Sequence, residues 1–470
     1  MMNPQQALWQ LGAVDIAAAV RRRDVSCREV TASVLARIAQ LNPQTNALAE
    51  VLAEEALTAA NAADQRTHRG DELGPLHGVP VSIKINADQA GHATTNGVVP
   101  LRDHIAHEDS PVVAHWRKAG AIIVGRSNTA TYSSRWFTDN GLHGRTLNPW
   151  DAAITPGGSS GGAASAVASG MGALAHGNDI GGSIRYPAYA CGVLGLRPTV
   201  GRVPAYNPSA TAERGITPQL MSVQGPLARN LADLRLGYEA MARGDARDPN
   251  WVPVPHELPR PAGPIRVALF RRSPGIPVDP AVTAALNDAA RWLQQAGYEV
   301  VEAELPFFNE AAALWRTLTV DDSRRNIIAG VEQHGDETMQ RSQRHLLAGM
   351  PETDRDGFLD ALARRQTLVR SWSVFLQSHP LVLMPVSWQR PCPQDEDAGT
   401  LEQARALIDA QSPLLATAAL GMPGLSVPTG MAGGVPIGVQ LLAWRFREDL
   451  LLEAGQVLES AAQFLPFTTR

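Results

Sequence analysis

The chain has 470 residues and a formal net charge of −5, from 41 Lys plus Arg against 46 Asp plus Glu. That balance gives no reason to expect a nucleic acid or an anionic membrane as partner, and 44% hydrophobic against 19% charged residues describes an ordinary globular chain with a sizeable core. Cys27, Cys191 and Cys392 are widely spaced, which argues against a disulfide framework or a thiolate zinc site and suits a reducing compartment.

Residues 1–20 lack a charged segment followed by an apolar core, and no apolar run reaches membrane-spanning length. The expected location is the cytoplasm. Ser26 and Glu29 have the spacing of a capping box, and Val30, Val34, Ile38 and Leu41 predict a helix over 26–41, with Pro43 just beyond its end. A second helix is expected over about 50–64.

Val79, Val81, Ile83 and Ile85 alternate with Pro80, Ser82, Lys84 and Asn86, as in a strand. The chain has only two lysines, Lys84 and Lys118, and otherwise uses arginine. Arginine stays protonated, whereas a desolvated lysine can lose its proton. Lys84 on an apolar strand therefore suggests a site that needs a neutral amine. Lys118 reads as a surface cation near the end of a helix that starts at Ser110-Pro111 and stops at Gly120. A short strand follows over 121–124. Tyr132, Trp136 and Phe137 fall in a loop and are candidate pocket walls.

Residues 155–198 hold Gly157-Gly158-Ser159-Ser160-Gly161-Gly162 and, after a run of small residues, Gly177-Asn178-Asp179-Ile180-Gly181-Gly182-Ser183. Glycine admits positive φ and lets backbone N–H groups approach a ligand closely. Successive N–H groups in such turns form an anion-binding concavity, suited to the oxyanion of acyl transfer. A close-packed helix is expected over 161–170, and His176 reads as a satisfied buried histidine. Another helix begins near Asn230, with Asp233 three residues on. Five prolines between 253 and 264 make a stiff crossover. A strand over 265–270, a helix over 279–297 and a strand over 299–302 follow.

These pieces resemble the amidase signature family. The resemblance rests on Gly74–Lys84, Gly141–Trp150, Thr155–Gly162, Gly177–Pro187 and Cys191–Thr199, with Gly421–Pro428 and Pro436–Gln440 as closing strands. It implies one α/β domain over 1–470 in the amidase signature fold, a large mixed β-sheet covered by helices on both faces. Within it, 1–65 would be N-terminal helices, 66–245 the core, 246–304 the crossover and continued sheet, and 413–470 the closing strands and helix. Residues 305–412 match least; with Phe307, Phe308, Leu314, Trp315, Trp372 and Trp388 they would shape an apolar, partly aromatic substrate pocket.

The resemblance further implies a Ser-cisSer-Lys triad, with Ser183 as nucleophile, Ser159 as bridge and Lys84 as neutral base. The N–H groups of Ile180, Gly181, Gly182 and Ser183 would form the oxyanion hole. Tyr132, Trp136, Gly157, Gly158, Asp179 and Trp315 are the expected substrate-binding residues. The implied reaction is hydrolysis of a small aryl or alkyl amide, with carbamates and esters as further substrates, no cofactor or metal, and a monomeric or homodimeric chain. Two positions depart from the family: Ile85 stands where an acid is usual, and Asn178 where threonine is usual.

Two rival readings remain. Gly157–Gly161 satisfies the G-x-S-x-G elbow of α/β-hydrolases, with Ser159 attacking. The family also includes the glutaminase subunit of a tRNA-dependent amidotransferase. A phosphate-binding loop lacks the required Lys-Ser/Thr after its glycines, and no H-E-x-x-H metal motif occurs.

Overall fold

The computed structural model describes residues 7–272, 275–324, 327–348, 350 and 352–464. Eleven strands build one sheet: β1 (Leu48–Val51), β2 (Pro80–Lys84), β3 (Ile122–Ser127), β4 (Leu174–Asp179), β5 (Leu194–Arg197), β6 (Val223–Ala228), β7 (Arg266–Leu269), β8 (Glu299–Glu302), β9 (Leu381–Pro385), β10 (Gly424–Ala432) and β11 (Val435–Ala443). Their order is β1-β3-β2-β4-β6-β5-β10-β11-β9-β7-β8. The sheet is mixed: β2 runs parallel to both β3 and β4, while β4–β6, β5–β10 and β10–β11 are antiparallel.

Successive side chains of a strand face opposite sides, and the core divides accordingly. Leu381 and Leu383 of β9 join Val267 and Leu441 in one apolar cluster, whereas Val382 and Met384 join Ala268 and Leu442 in another. The first cluster takes in Val30, Val34 and Ile38 of the helix Cys27–Thr45. The second is covered by Phe308–Ser323 and Arg355–Ser378, through Leu314, Leu318, Leu368 and Trp372.

The capping box forms: Ser26 Oγ accepts from Glu29 N, and Glu29 Oε2 accepts from Ser26 N at 2.8 Å. The helix then runs on to Thr45 with Pro43 inside its last turn, so Pro43 does not stop it. Proline has no N–H, and the turn is instead closed by Asn46 N on the Asn42 carbonyl at 2.7 Å. A second correction concerns Glu50. Leu48–Val51 forms an edge strand antiparallel to β3, and the next helix starts only at Ala53 and extends to Arg69. Sheet pairing decides those four residues, not their own propensity. The strand over 299–302 lies where the sequence indicates it. The proline crossover is irregular, and its Pro255 carbonyl accepts from Arg202 Nη2 at 3.0 Å. Among the described residues no helix is long and apolar enough to cross a membrane. Residues 1–6 of the N-terminal segment and 465–470 of the C-terminal one lie outside the described residues.

Candidate active site

Lys84 ends β2, between β3 and β4, and is fully buried. Its Nζ lies 2.7 Å from Ser159 Oγ, 3.0 Å from Ser160 Oγ and 2.7 Å from Asn178 Oδ1. Burial holds its pKa well below the usual lysine range, against the opposing pull of Asp179. Lys118, by contrast, is exposed at its helix end.

The surrounding hydrogen bonds determine how this amine spends its hydrogens. Asn178 Nδ2 donates to Asn86 Oδ1 at 2.9 Å, Asn86 Nδ2 to Ser133 Oγ at 2.9 Å, and Ser133 Oγ to Asn96 Oδ1 at 2.6 Å. The Asn178 oxygen is thus left to accept from Lys84. Ser160 Oγ donates to the Asn178 carbonyl at 3.3 Å, so it too accepts from Lys84. A neutral amine has two N–H groups and one lone pair. With both hydrogens spent on Asn178 and Ser160, an unprotonated Lys84 would turn its lone pair to the Ser159 hydroxyl.

Ser159 follows a cis peptide after Gly158. Its carbonyl accepts from Thr129 Oγ1 at 3.0 Å, and Thr138 Oγ1 donates to the Gly157 carbonyl at 3.0 Å. The helix Gly161–Ala168 then passes close to the sheet: a Cβ on Gly162 would sit 2.5 Å from Ala47 O and Asn128 N.

Ser183 lies in the turn between β4 and the helix Arg185–Cys191. Asp179 organises that turn, accepting from Gly182 N at 2.8 Å and Ile184 N at 3.2 Å, and pairing with Arg185 at 3.0 Å and Arg197 at 3.2 Å. Burial alone would raise its pKa, but the two guanidinium groups hold it below the usual carboxylate range. This overturns Asp179 as a substrate contact: its oxygens are spent, and it does not line the cavity.

The same bonds redraw the expected oxyanion hole. The Gly182 N–H is already taken by Asp179, whereas those of Ile180, Gly181 and Ser183 find no acceptor among the described residues. The Ser183 hydroxyl likewise has no hydrogen-bond partner among the described residues, while the Ser183 carbonyl accepts from Ser160 N at 3.2 Å.

A cavity of about 770 Å³ opens over these groups, lined by Ser159, Asn178, Ile180, Gly181 and Ser183 on its floor and by Tyr132, Trp136 and Trp315 on its walls. Gly157 and Gly158 do not line it. They are close-packing positions, since a Cβ on Gly157 (φ 77°) would meet Pro187 Cα at 2.5 Å and one on Gly158 would meet Phe137 N at 2.5 Å. Residues 305–412 contribute Trp315, Val320, Met339, Leu346 and Leu407 to the cavity. Phe308, Trp372 and Trp388 are core instead. Phe307 is half exposed and lies outside both.

His176 is satisfied on one nitrogen only. Nε2 pairs with Gln224 Oε1 at 2.8 Å, Nδ1 has no partner among the described residues, and burial lowers its pKa to about 4. The elbow arrangement is not built: no strand leads into Ser159, and an amine rather than an imidazole meets its hydroxyl. Sequence reasoning did not assign Ser160, Asn178 and Asn86 to the lysine. Asn86 carried a usable signal, since it stands two residues beyond Lys84.

The family model for Amidase matches residues 29–452. Indoleacetamide hydrolase of Bradyrhizobium diazoefficiens is 45% identical over 463 residues, covering 98% of this chain and 88% of its own length. The glutamyl-tRNA(Gln) amidotransferase chain of Synechococcus sp. is 32% identical, over 94% of this chain and 95% of its own. The solved structure of 6-aminohexanoate cyclic dimer hydrolase shares the fold, with a TM-score of 0.84 at 24% identity over 98% of each chain.

Proposed function

The chain belongs to the amidase signature family of amide-hydrolysing enzymes, and we propose that it cleaves small aryl or alkyl carboxylic amides through an acyl-enzyme on Ser183. One observation carries the reading: a fully buried lysine lies 2.7 Å beneath the hydroxyl of Ser159, and Ser159 and Ser183 line the same cavity. Serine is a weak nucleophile until a base takes its proton, and the burial that lowers the Lys84 pKa favours the neutral amine that this work needs.

In the first step Ser183 Oγ attacks the carbonyl carbon. Its proton moves to Ser159 Oγ as the Ser159 proton moves to Lys84 Nζ. The carbonyl electron pair goes to oxygen, where the N–H groups of Ile180, Gly181 and Ser183 are free to receive it. The tetrahedral centre then collapses, the C–N bond breaks, and the proton held by Lys84 returns through Ser159 to the departing nitrogen. Water attacks the ester by the same relay, releasing the acid and restoring Ser183. The Ser183–Ser159 hydrogen bond must close for the first transfer; catalytic hydrogen bonds commonly tighten only with substrate bound.

Trp136 and Trp315 on the cavity wall and the 45% identity to indoleacetamide hydrolase support an arylacetamide as the preferred class. Carbamates and esters present the same trigonal carbonyl and are proposed as further substrates. The amidotransferase reading has the lower identity, 32%. Hydrolysis rates across anilides, arylacetamides, aliphatic amides, carbamates and glutamine test the proposal. Release of ammonia from glutamine alone would replace it with the amidotransferase reading.

A further inference from the structure

Two indoles grip the turn that carries the oxyanion donors. Trp315 Nε1 donates to the Ile180 carbonyl at 2.6 Å, and Trp136 Nε1 donates to the Gly181 carbonyl at 2.9 Å. In a trans peptide the C=O and N–H lie in one plane and point opposite ways. Trp315 therefore holds the peptide whose N–H belongs to Gly181, and Trp136 the peptide whose N–H belongs to Gly182. The Gly182 N–H is already anchored on Asp179 at 2.8 Å. The Gly181 N–H has no acceptor among the described residues, and Gly181 lines the cavity. The orientation of its peptide rests on Trp315. A carbonyl that accepts a hydrogen bond also makes the N–H of its own peptide a stronger donor. The ring is packed directly on the turn, since a Cβ on Gly181 would lie 2.5 Å from Trp315 Cζ2.

We infer that Trp315, seconded by Trp136, is a positioning residue for the oxyanion turn: its indole N–H aims the Gly181 N–H and strengthens it as a donor. The inference rests on the acyl-enzyme reading of Ser183 and assigns these tryptophans a role distinct from walling the pocket. An apolar wall needs only the ring, so phenylalanine would serve. A positioning donor needs the N–H.

The experiment compares wild type, Trp315→Phe, Trp136→Phe and a Trp315 variant carrying benzothienylalanine, which keeps the bicyclic shape but replaces N–H by sulfur. Steady-state kinetics on one anilide are read beside the inhibition constant of an aryl trifluoromethyl ketone, whose serine adduct carries the oxyanion. Full removal of an oxyanion donor costs about 10²- to 10³-fold in kcat, so loss of its support is expected to cost Trp315→Phe about 10- to 100-fold, with the same loss in adduct affinity. KM should stay within about twofold, because the contact acts on the transition state. Trp136→Phe should lose less, its peptide having a second anchor. The benzothienyl variant should match Trp315→Phe, and it carries the test if phenylalanine disturbs folding. Unchanged kcat and adduct affinity in the benzothienyl variant would overturn the inference while leaving the proposed function intact. A wild-type chain that forms no serine adduct and cleaves no amide would remove both.

Discussion

Lys84 Nζ lies 2.7 Å from Asn178 Oδ1, and no carboxylate makes a hydrogen bond to that amine among the described residues. Ile85, at the position where an acid is usual, is buried and apolar. The two departures from the family pattern thus converge on one point: the lysine is surrounded by neutral acceptors, and the nearby Asp179 is engaged by two arginines.

Asn178→Asp would place a negative charge where the neutral oxygen now sits. An opposite charge this close raises a lysine pKa by about 1–3 units. The base must be unprotonated to act, so the acidic limb of kcat/KM should move to higher pH by about one unit or more, while the high-pH plateau changes less. A pH–rate profile from 5 to 9 measures this. An unmoved limb would mean that Lys84 is not the titrating base.

Lys84→Ala should lower anilide hydrolysis by at least about 10²-fold, the usual range of a lost general acid–base. It should spare part of the activity on an activated ester such as p-nitrophenyl acetate, whose leaving group departs without a proton. Parallel assays on both substrates check it, and equal losses on the two would contradict a proton-delivering role.

Ser183→Ala should abolish covalent labelling by a fluorophosphonate, as read by intact mass. Ser159→Ala should still label, more slowly. Peptide mapping of an adduct to Ser159 would reverse the two assignments.

Asp179→Asn removes the carboxylate that two buried arginines share. Breaking a buried ion pair from one side typically costs about 3–5 kcal/mol, because it strands the partner charge. Denaturant unfolding of the variant should show a loss of that order, together with lost amidase activity as the Ser183 turn loosens. Wild-type stability in the variant would show the carboxylate to be dispensable.

His176 titrates at about 4 in the native state, below the ordinary histidine value of 6.5, because burial disfavours its charged form. Between those two values the unfolded chain binds a proton that the native chain does not. Its contribution is therefore complete above pH 6.5 and lost as pH falls toward 4, amounting to about 3 kcal/mol at pH 4. His176→Gln should flatten that part of the stability–pH curve. An unchanged slope in urea melts at pH 4.5, 5.5 and 6.5 would assign the acid sensitivity to other groups.

Much of the site could be read locally. The alternation around Lys84 is the strand β2, the glycine turns are turns, and the small-residue segment is the helix Gly161–Ala168. The misreadings arose where a neighbour distant in the chain overrides local preference. Leu48–Val51 is extended because β3 offers it an edge. Asp179, beside Ser183 in a glycine-rich turn, looks like a ligand contact until Arg197, from β5, is folded against it.

The order of residues along the chain supplies the chemical inventory: one lysine on an apolar strand, two serines in glycine turns, and enough length to bury them. How those groups divide their hydrogens and lone pairs is settled by folding. Each hydrogen bond depends on which backbone lies within about 3 Å, and Asn86, Ser133, Asn178 and Trp315 are brought to that distance by strand order and helix packing.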